Sequence, residues 1–164
     1  MTGKTHILAG TAVGCGLALG SIAPLPSSFV VLCAAAGGLF PDIDQRTSRA
    51  GSAAPLASWL IQHIFGHRTL FHSPLLYLVA YTSACVFWPQ YSFYVEAFVL
   101  GAASHLLLDM FNSKGVPLLY PWPHRFHIAA FALDGLGELT IRALLALGTI
   151  YLMGLWVLHF WKGW

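Results

Sequence analysis

Charge is what this chain of 164 residues has least of. Charged residues make up 9% of it, against roughly 25% in an ordinary soluble domain. Only six of them are carboxylates. The chain is instead 57% hydrophobic, with a mean hydropathy of +0.70. A soluble fold of this length cannot hide that much apolar surface, so the composition points to a single integral membrane domain, residues 1–164. The net charge of +2 is too small to draw nucleic acid. Cysteine is scarce as well. Cys15, Cys33 and Cys85 lie in apolar stretches without metal-like spacing, so they are expected to be reduced, buried packing residues. A cleavable signal peptide is not expected, because the apolar run after Lys4 merges into a second run without a cleavage site. There is no internal repeat and no low-complexity segment.

What is present is a set of five apolar segments, near residues 7–23, 28–40, 74–88, 95–110 and 141–161. Pro24 and Pro26 punctuate the first gap, and Trp88-Pro89-Gln90-Tyr91 supplies interfacial aromatics to another. The expected fold is all-α: a polytopic membrane helical bundle with about five membrane segments and two cytoplasmic loops, 41–73 and 111–140. The segment at 28–40 covers only ~20 Å as a helix, against a hydrocarbon core of ~30 Å. Either the helices extend past these bounds, or the bilayer thins, or this pair is partly re-entrant. If every segment spans, Lys4, Arg46, Arg49, Arg68, Lys114, Arg125 and Arg142 fall on one side and Lys162 on the other. The positive-inside rule then places the amino terminus and both long loops in the cytoplasm, and the carboxyl terminus outside.

The same order sorts the residues that can ligate a metal. His6 opens the first segment, Asp42 and Asp44 close the second, His67 and His72 precede the third, and His105 and Asp109 close the fourth. All converge on one face of one small bundle. His105 and Asp109 are four apart and share a helix face, so they hold one ion together or the carboxylate orients the imidazole. Asp42 and Asp44 follow Pro41, which stops the helix, so on a turn or extended segment one ligates and the other braces. Ser73 and Pro74 suit the cap and first turn of the next helix. Histidine and aspartate without thiolate suit zinc, and to a lesser degree manganese or iron.

Each part also has a plain reading. His6 alone fits an interfacial hydrogen bond, Asp42 and Asp44 fit a loop cap, and His105 with Asp109 fits an interhelical hydrogen bond. Ionisable residues near a membrane are nonetheless functional by default. His63, His124 and His127 are weaker candidates, and His159 is expected at the opposite interface. Arg46 and Arg49 fit topology or anionic lipid heads. Arg68, between two candidate ligands, is placed to bind phosphate oxygens bidentately.

Thr5-His6, Gly38-Leu39-Phe40-Pro41-Asp42-Ile43-Asp44, His67-Arg68 with His72-Ser73, and Ser104-His105 through Leu108-Asp109 together resemble the YdjM-like family. That family is described as LexA-regulated, membrane-bound, metal-dependent hydrolases. The resemblance spans residue 5 to about 122 and implies a multi-pass protein of the bacterial inner (plasma) membrane. More distantly, the His105–Asp109 pair, with His6, Asp42 and His67 or His72 in compatible order, is similar to zinc-dependent phospholipase C. Those enzymes have an amino-terminal tryptophan ligand and a later His-x-x-x-Glu pair. Here the chain begins Met1-Thr2, and Asp134 and Glu138 have the spacing without the histidine, so one or two ions are expected rather than three.

The expected function is a metal-dependent hydrolase that cleaves a phosphoester of a lipid or lipid-linked substrate with a metal-activated water. Arg68 is expected to offset charge in the transition state, and Asp42 or Asp44 to take the water's proton. The partners are membrane lipids and that substrate, with the site at the cytoplasmic face. The alternative is a non-enzymatic membrane scaffold with a structural metal. A metal transporter fits less well, because the mid-segment positions are apolar. A histidine-nucleophile lipid phosphatase requires Ser-Arg where Phe98-Val99 stands.

Overall fold

The computed structural model describes residues 1–20, 27–129, 131–132 and 134–161. Each of the five apolar segments falls on an α-helix: α1 (Gly3–Gly20), α2 (Ser27–Leu39), α5 (Pro74–Phe87), α6 (Ser92–Asp109) and α7 (Leu136–Trp161). Two further helices, α3 (Arg49–Ala53) and α4 (Pro55–Phe65), occupy the first long connection. Among the described residues there is no β-strand, only isolated bridges pairing Asn112 with Phe131 and Val116 with Phe126. Pro24, Pro26 and Lys162 lie outside the described residues.

Length and composition mark two helices as able to cross a membrane: Pro89–Asp109, with 21 residues, and Leu136–His159, with 24. Helices α2 and α5 have only 13 and 14 residues, about 20 Å each at ~1.5 Å per residue. Helix α1 is long enough at 18 residues but carries Lys4 and His6 in its first turns. The five apolar segments are thus helical, and among the described residues two of them are both long and apolar enough to span.

Small residues let α1, α2 and α6 pack with their backbones nearly touching, as in membrane helix pairs. A Cβ on Gly37 would overlap the Phe98 carbonyl, and one on Gly101 would overlap that of Ala34. Between these helices Val30, Ala34 and Ala97 are fully buried. Helix α7 lies along α1, with Thr149 close to the Leu8 carbonyl at 3.4 Å. Its outer face exposes Leu144, Leu147, Ile150 and Tyr151. Such an apolar belt has no place in water. Cys15 is buried and Cys33 half-buried, as expected, but Cys85 sits on the exposed face of α5. All three are free thiols.

Candidate metal centre and its cleft

The site begins where α2 stops. Pro41 occupies the first turn of a 3-10 helix, Phe40–Asp44. Three residues per turn send side chains two apart in different directions. Asp44 points inward and is fully buried, while the Asp42 side chain remains 15% exposed. The turn predicted from Pro41 is thus present, and it divides the two aspartates as that turn requires.

Asp44 is the hub of a bracing ring. Its Oδ1 lies 2.7 Å from His67 Nδ1, and its Oδ2 accepts from the Arg68 backbone N–H (2.9 Å) and lies 3.1 Å from His72 Nδ1. Burial works to raise the Asp44 pKa, but the hydrogen bonds and charge of His67 and His72 outweigh it and hold the carboxyl below its usual range. Asp44 is therefore an acceptor with both oxygens in use, and it belongs to neither group of side chains close enough to share an ion. His67, also expected as a ligand, is partly exposed and joins the same ring.

Inside the ring lies a cage. His6, His72 and His105 are fully buried and Asp109 is 1% exposed. The His6 and His105 rings stack with centroids 3.6 Å apart, and His72 meets His105 edge-on at 5.4 Å. Helix α6 carries His105 and Asp109 on one face as predicted, with Nε2 and Oδ2 3.9 Å apart. His105 Nδ1 is 2.8 Å from the Gly38 carbonyl, so it donates and leaves a lone pair on Nε2. His72 is held in the same sense by Asp44. His72 Nε2, His105 Nε2 and both nitrogens of His6 are buried without a hydrogen-bond partner. His6 Nε2 stands 3.2 Å from Asp109 Oδ1, but not in hydrogen-bond geometry.

Buried polar atoms are nearly always satisfied, so several orphaned imidazole nitrogens facing one another need a partner. Two overlapping groups have ligand atoms all within 4.8 Å of each other: His6, Asp42 and His105, and His72, His105 and Asp109. A nitrogen and carboxylate donor set with outer atoms fixed by Asp44 and a backbone carbonyl fits a divalent transition metal.

Arg68 closes the cage. Its Nη2 donates to Asp109 Oδ2 at 2.5 Å and its Nη1 to the Gly115 carbonyl at 3.0 Å, while its buried Nε has no partner. The Met1 α-ammonium donates to Asp109 Oδ1. Arg68 also has φ 57, a left-handed conformation that a non-glycine residue rarely adopts. Its backbone N–H is thereby anchored on Asp44 while its guanidinium reaches Asp109. Ser73 caps α5 by accepting from the Leu75 N–H, with Pro74 in the first turn, as predicted.

Asp42, His67 and Arg68 face outward into a polar cleft of about 310 Å³. Burial raises the Asp42 pKa, with the neighbouring carboxylates adding to the rise and His6 and His72 opposing it. Arg49, Asn112 and Lys114 form further wall. None of these three was singled out for the site by its sequence setting. A second omission is Glu138, which is fully buried and accepts from Thr2 N–H, Thr5 Oγ1 and Asp134 N–H. A carboxylate in the first turn of an apolar helix was its available signal. His63 stacks on Trp59 beside Arg46 in a separate shallow pocket. His124, His127 and His159 are exposed, and none joins the cage.

The profile of the YdjM inner membrane protein family matches residues 1–163. A Bacillus subtilis protein called YvsG, described as uncharacterized, is 33% identical over 152 residues, covering 92% of this chain and 93% of its own. The inner membrane protein YdjM of Escherichia coli is 36% identical over 94 residues, 55% of this chain and 48% of that protein. Its Shigella flexneri counterpart matches to the same extent. No solved structure matches, so the likeness to phospholipase C stands on the sequence motifs alone.

Proposed function

Since the chain belongs to the YdjM inner membrane protein family, we propose that it is a membrane-bound metal-dependent hydrolase, cutting a phosphoester of a lipid or lipid-linked substrate. One observation carries this reading: the buried imidazole nitrogens of His6, His72 and His105 face Asp42 and Asp109 without partners, and Asp42 opens from that cage into a polar cleft. Zinc suits the donor set best, with manganese or iron as alternatives. His6, Asp42, His72, His105 and Asp109 would hold one or two ions. When bound, the ion lowers the pKa of a coordinated water and polarises a phosphoryl oxygen.

The chain's own groups supply the rest. Asp44 holds His72 by Nδ1 and fixes which nitrogen faces inward. Arg68, pinned by Asp109 and Gly115, presents its unpartnered Nε near the ligands and offsets negative charge on the phosphoryl group. Where Asp42 does not itself hold the ion, its carboxylate, raised in pKa by burial and open to the cleft on one side, accepts the water's proton. The membrane arrangement proposed with this chemistry has α1, α2, α5, α6 and α7 in the bilayer, the site at the cytoplasmic face and the substrate entering from the inner leaflet. External labelling of Ser52→Cys or Ser113→Cys in intact cells, on a cysteine-free background, would sink that topology.

The test of catalysis is hydrolysis of phospholipids and lipid-linked phosphates presented in bilayers. Turnover should vanish on chelation and return with Zn²⁺ or Mn²⁺. Arg68→Ala should retain metal and slow turnover by roughly 10²-fold, with Arg68→Lys recovering part of it, since lysine lacks the fork. A second reading, a scaffold with a structural metal, draws on the complete burial of His6, His72 and His105, because structural sites are closed by protein ligands. It expects a fully metallated protein with no product on any phosphoester.

A further inference from the structure

We infer that Arg49 and Lys114 form an anion subsite at the mouth of the cleft, recognising negative charge on a phosphate-bearing head group beyond the bond being cut. This deepens the hydrolase reading and rests on taking the cleft as the way into the cage. The cleft wall holds three cationic side chains, Arg49, Arg68 and Lys114, and one carboxylate, Asp42. Arg68 is already paired with Asp109, and Asp42 faces His105 at 3.7 Å. Arg49 and Lys114 have no carboxylate partner among the described residues. Two like charges left unpaired on one concave wall repel each other unless an anion lies between them.

Placement is the second strand. Lys114 precedes Gly115, whose carbonyl holds the Arg68 guanidinium, and Lys114's own N–H is fixed by Oδ1 of the buried Asn112 at 3.2 Å. The chain that positions Arg68 therefore also positions Lys114. Arg49 begins α3, and its stem packs on Gly3, where a Cβ would meet Arg49 Cδ at 3.3 Å. Both bases are anchored while the charged ends stay exposed. The third strand is the buried, unpartnered Nε of Arg68 on the same wall, a donor an arriving oxyanion can satisfy. A single phosphate is served by the cage and Arg68, so Arg49 and Lys114 answer to additional charge.

The experiment is calorimetric titration of the full chain, zinc-loaded in uncharged detergent, with glycerol 3-phosphate and glycerol 1,3-bisphosphate. The wild type should bind the bisphosphate about 10-fold more tightly, and raising the salt should narrow the gap. Arg49→Gln with Lys114→Gln should erase the preference, each exposed charge contributing a few-fold, while zinc content stays unchanged. Lysophosphatidic acid below its micelle concentration carries the same head on an acyl chain. Tighter binding than glycerol 3-phosphate assigns the head to a lipid, and equal binding assigns it to a soluble phosphate; both uphold the subsite. The inference is overturned if the wild type shows no preference, or if the double variant keeps it with zinc and turnover intact. A preference that persists in protein without turnover would leave the subsite standing and remove the hydrolase reading instead.

Discussion

Asp42 and Asp44 stand two residues apart on one 3-10 turn, and the turn faces two different regions. On the Asp44 side everything is closed: both oxygens are engaged, burial is complete, and the partners are His67, His72 and a backbone N–H. On the Asp42 side the carboxylate looks across to His105 and out to the cleft, with no side-chain hydrogen bond among the described residues. The same side chain is thus used in two ways. The closed side sets the orientation of an imidazole, and the open side is available to whatever enters. The difference is visible in their acidity, since burial raises Asp42 while histidine hydrogen bonds overcome burial and lower Asp44.

The largest effect should come from the carboxylate that both regions lean on. Asp109 pairs with Arg68 and the Met1 ammonium and stands beside His6 and His105. Asp109→Ala leaves a buried guanidinium uncompensated, a loss of about 3–5 kcal/mol, and should also abolish metal binding. Asp109→Asn keeps the shape, and His105→Ala removes a ligand without stranding Arg68. Elemental analysis of the folded fraction of these two variants should show most of the metal gone. Full metal content in both would mean that the cage does not bind an ion.

The comparison itself is sharpened by Asp44→Asn against Asp42→Asn. The first should weaken metal affinity by roughly 10–100-fold, as loss of partners behind ligating histidines does. The second should reduce turnover without lowering stability. Their pH dependence should also differ in sign. Asp44 has a folded pKa below its unfolded value, so its stabilisation is present above about pH 4 and is lost as pH falls through the lower, folded value. Asp42 has a raised folded pKa, so its ionised form opposes folding, and that penalty disappears as pH falls through the raised value. Acid unfolding curves should therefore flatten in Asp44→Asn, while Asp42→Asn should gain slightly at neutral pH. Curves that shift in the same direction for both would erase the distinction drawn between them.

Much of the cage was legible because its residues all sit at the ends of apolar segments that converge on one face. His105 with Asp109 needed only helix periodicity, and Asp42 with Asp44 needed only Pro41. What periodicity could not supply was direction around a turn, and only the fold shows Asp44 turned toward His67 and His72. Arg49 and Lys114 were illegible as cleft residues because a basic residue in a loop also reads as a topology signal. Of the five apolar helices read from the sequence, two are both long and apolar enough to cross a membrane by length and composition. Helices α2 and α5, of 13 and 14 residues, are apolar but shorter than the bilayer core is thick, and α2 packs closely on α1 and α6 through Gly37, Gly38 and Gly101.

The smallest effect should arise furthest from the turn, at Glu138. Its carboxylate joins α7 to the start of α1 through Thr2 and Thr5, and it reaches back to the Asp134 N–H. The bonds are buried, so Glu138→Gln cannot be neutral: an amide keeps one acceptor oxygen where three donors converge. The expected loss is about 1–3 kcal/mol, the cost of leaving a buried polar group unpaired. None of these bonds involves a histidine side chain, and Thr2 and Thr5 meet His6 only through the backbone, where the Thr2 carbonyl accepts the His6 N–H at 3.2 Å, so metal content should stay at the wild-type level while thermal stability in detergent falls. Thr5→Val, which deletes one donor and keeps the volume, should lower stability less. If Glu138→Gln also emptied the metal site, the clamp between α7 and α1 would have to be counted as part of the cage, and the division between closed and open sides of the turn would no longer describe how His6 is held.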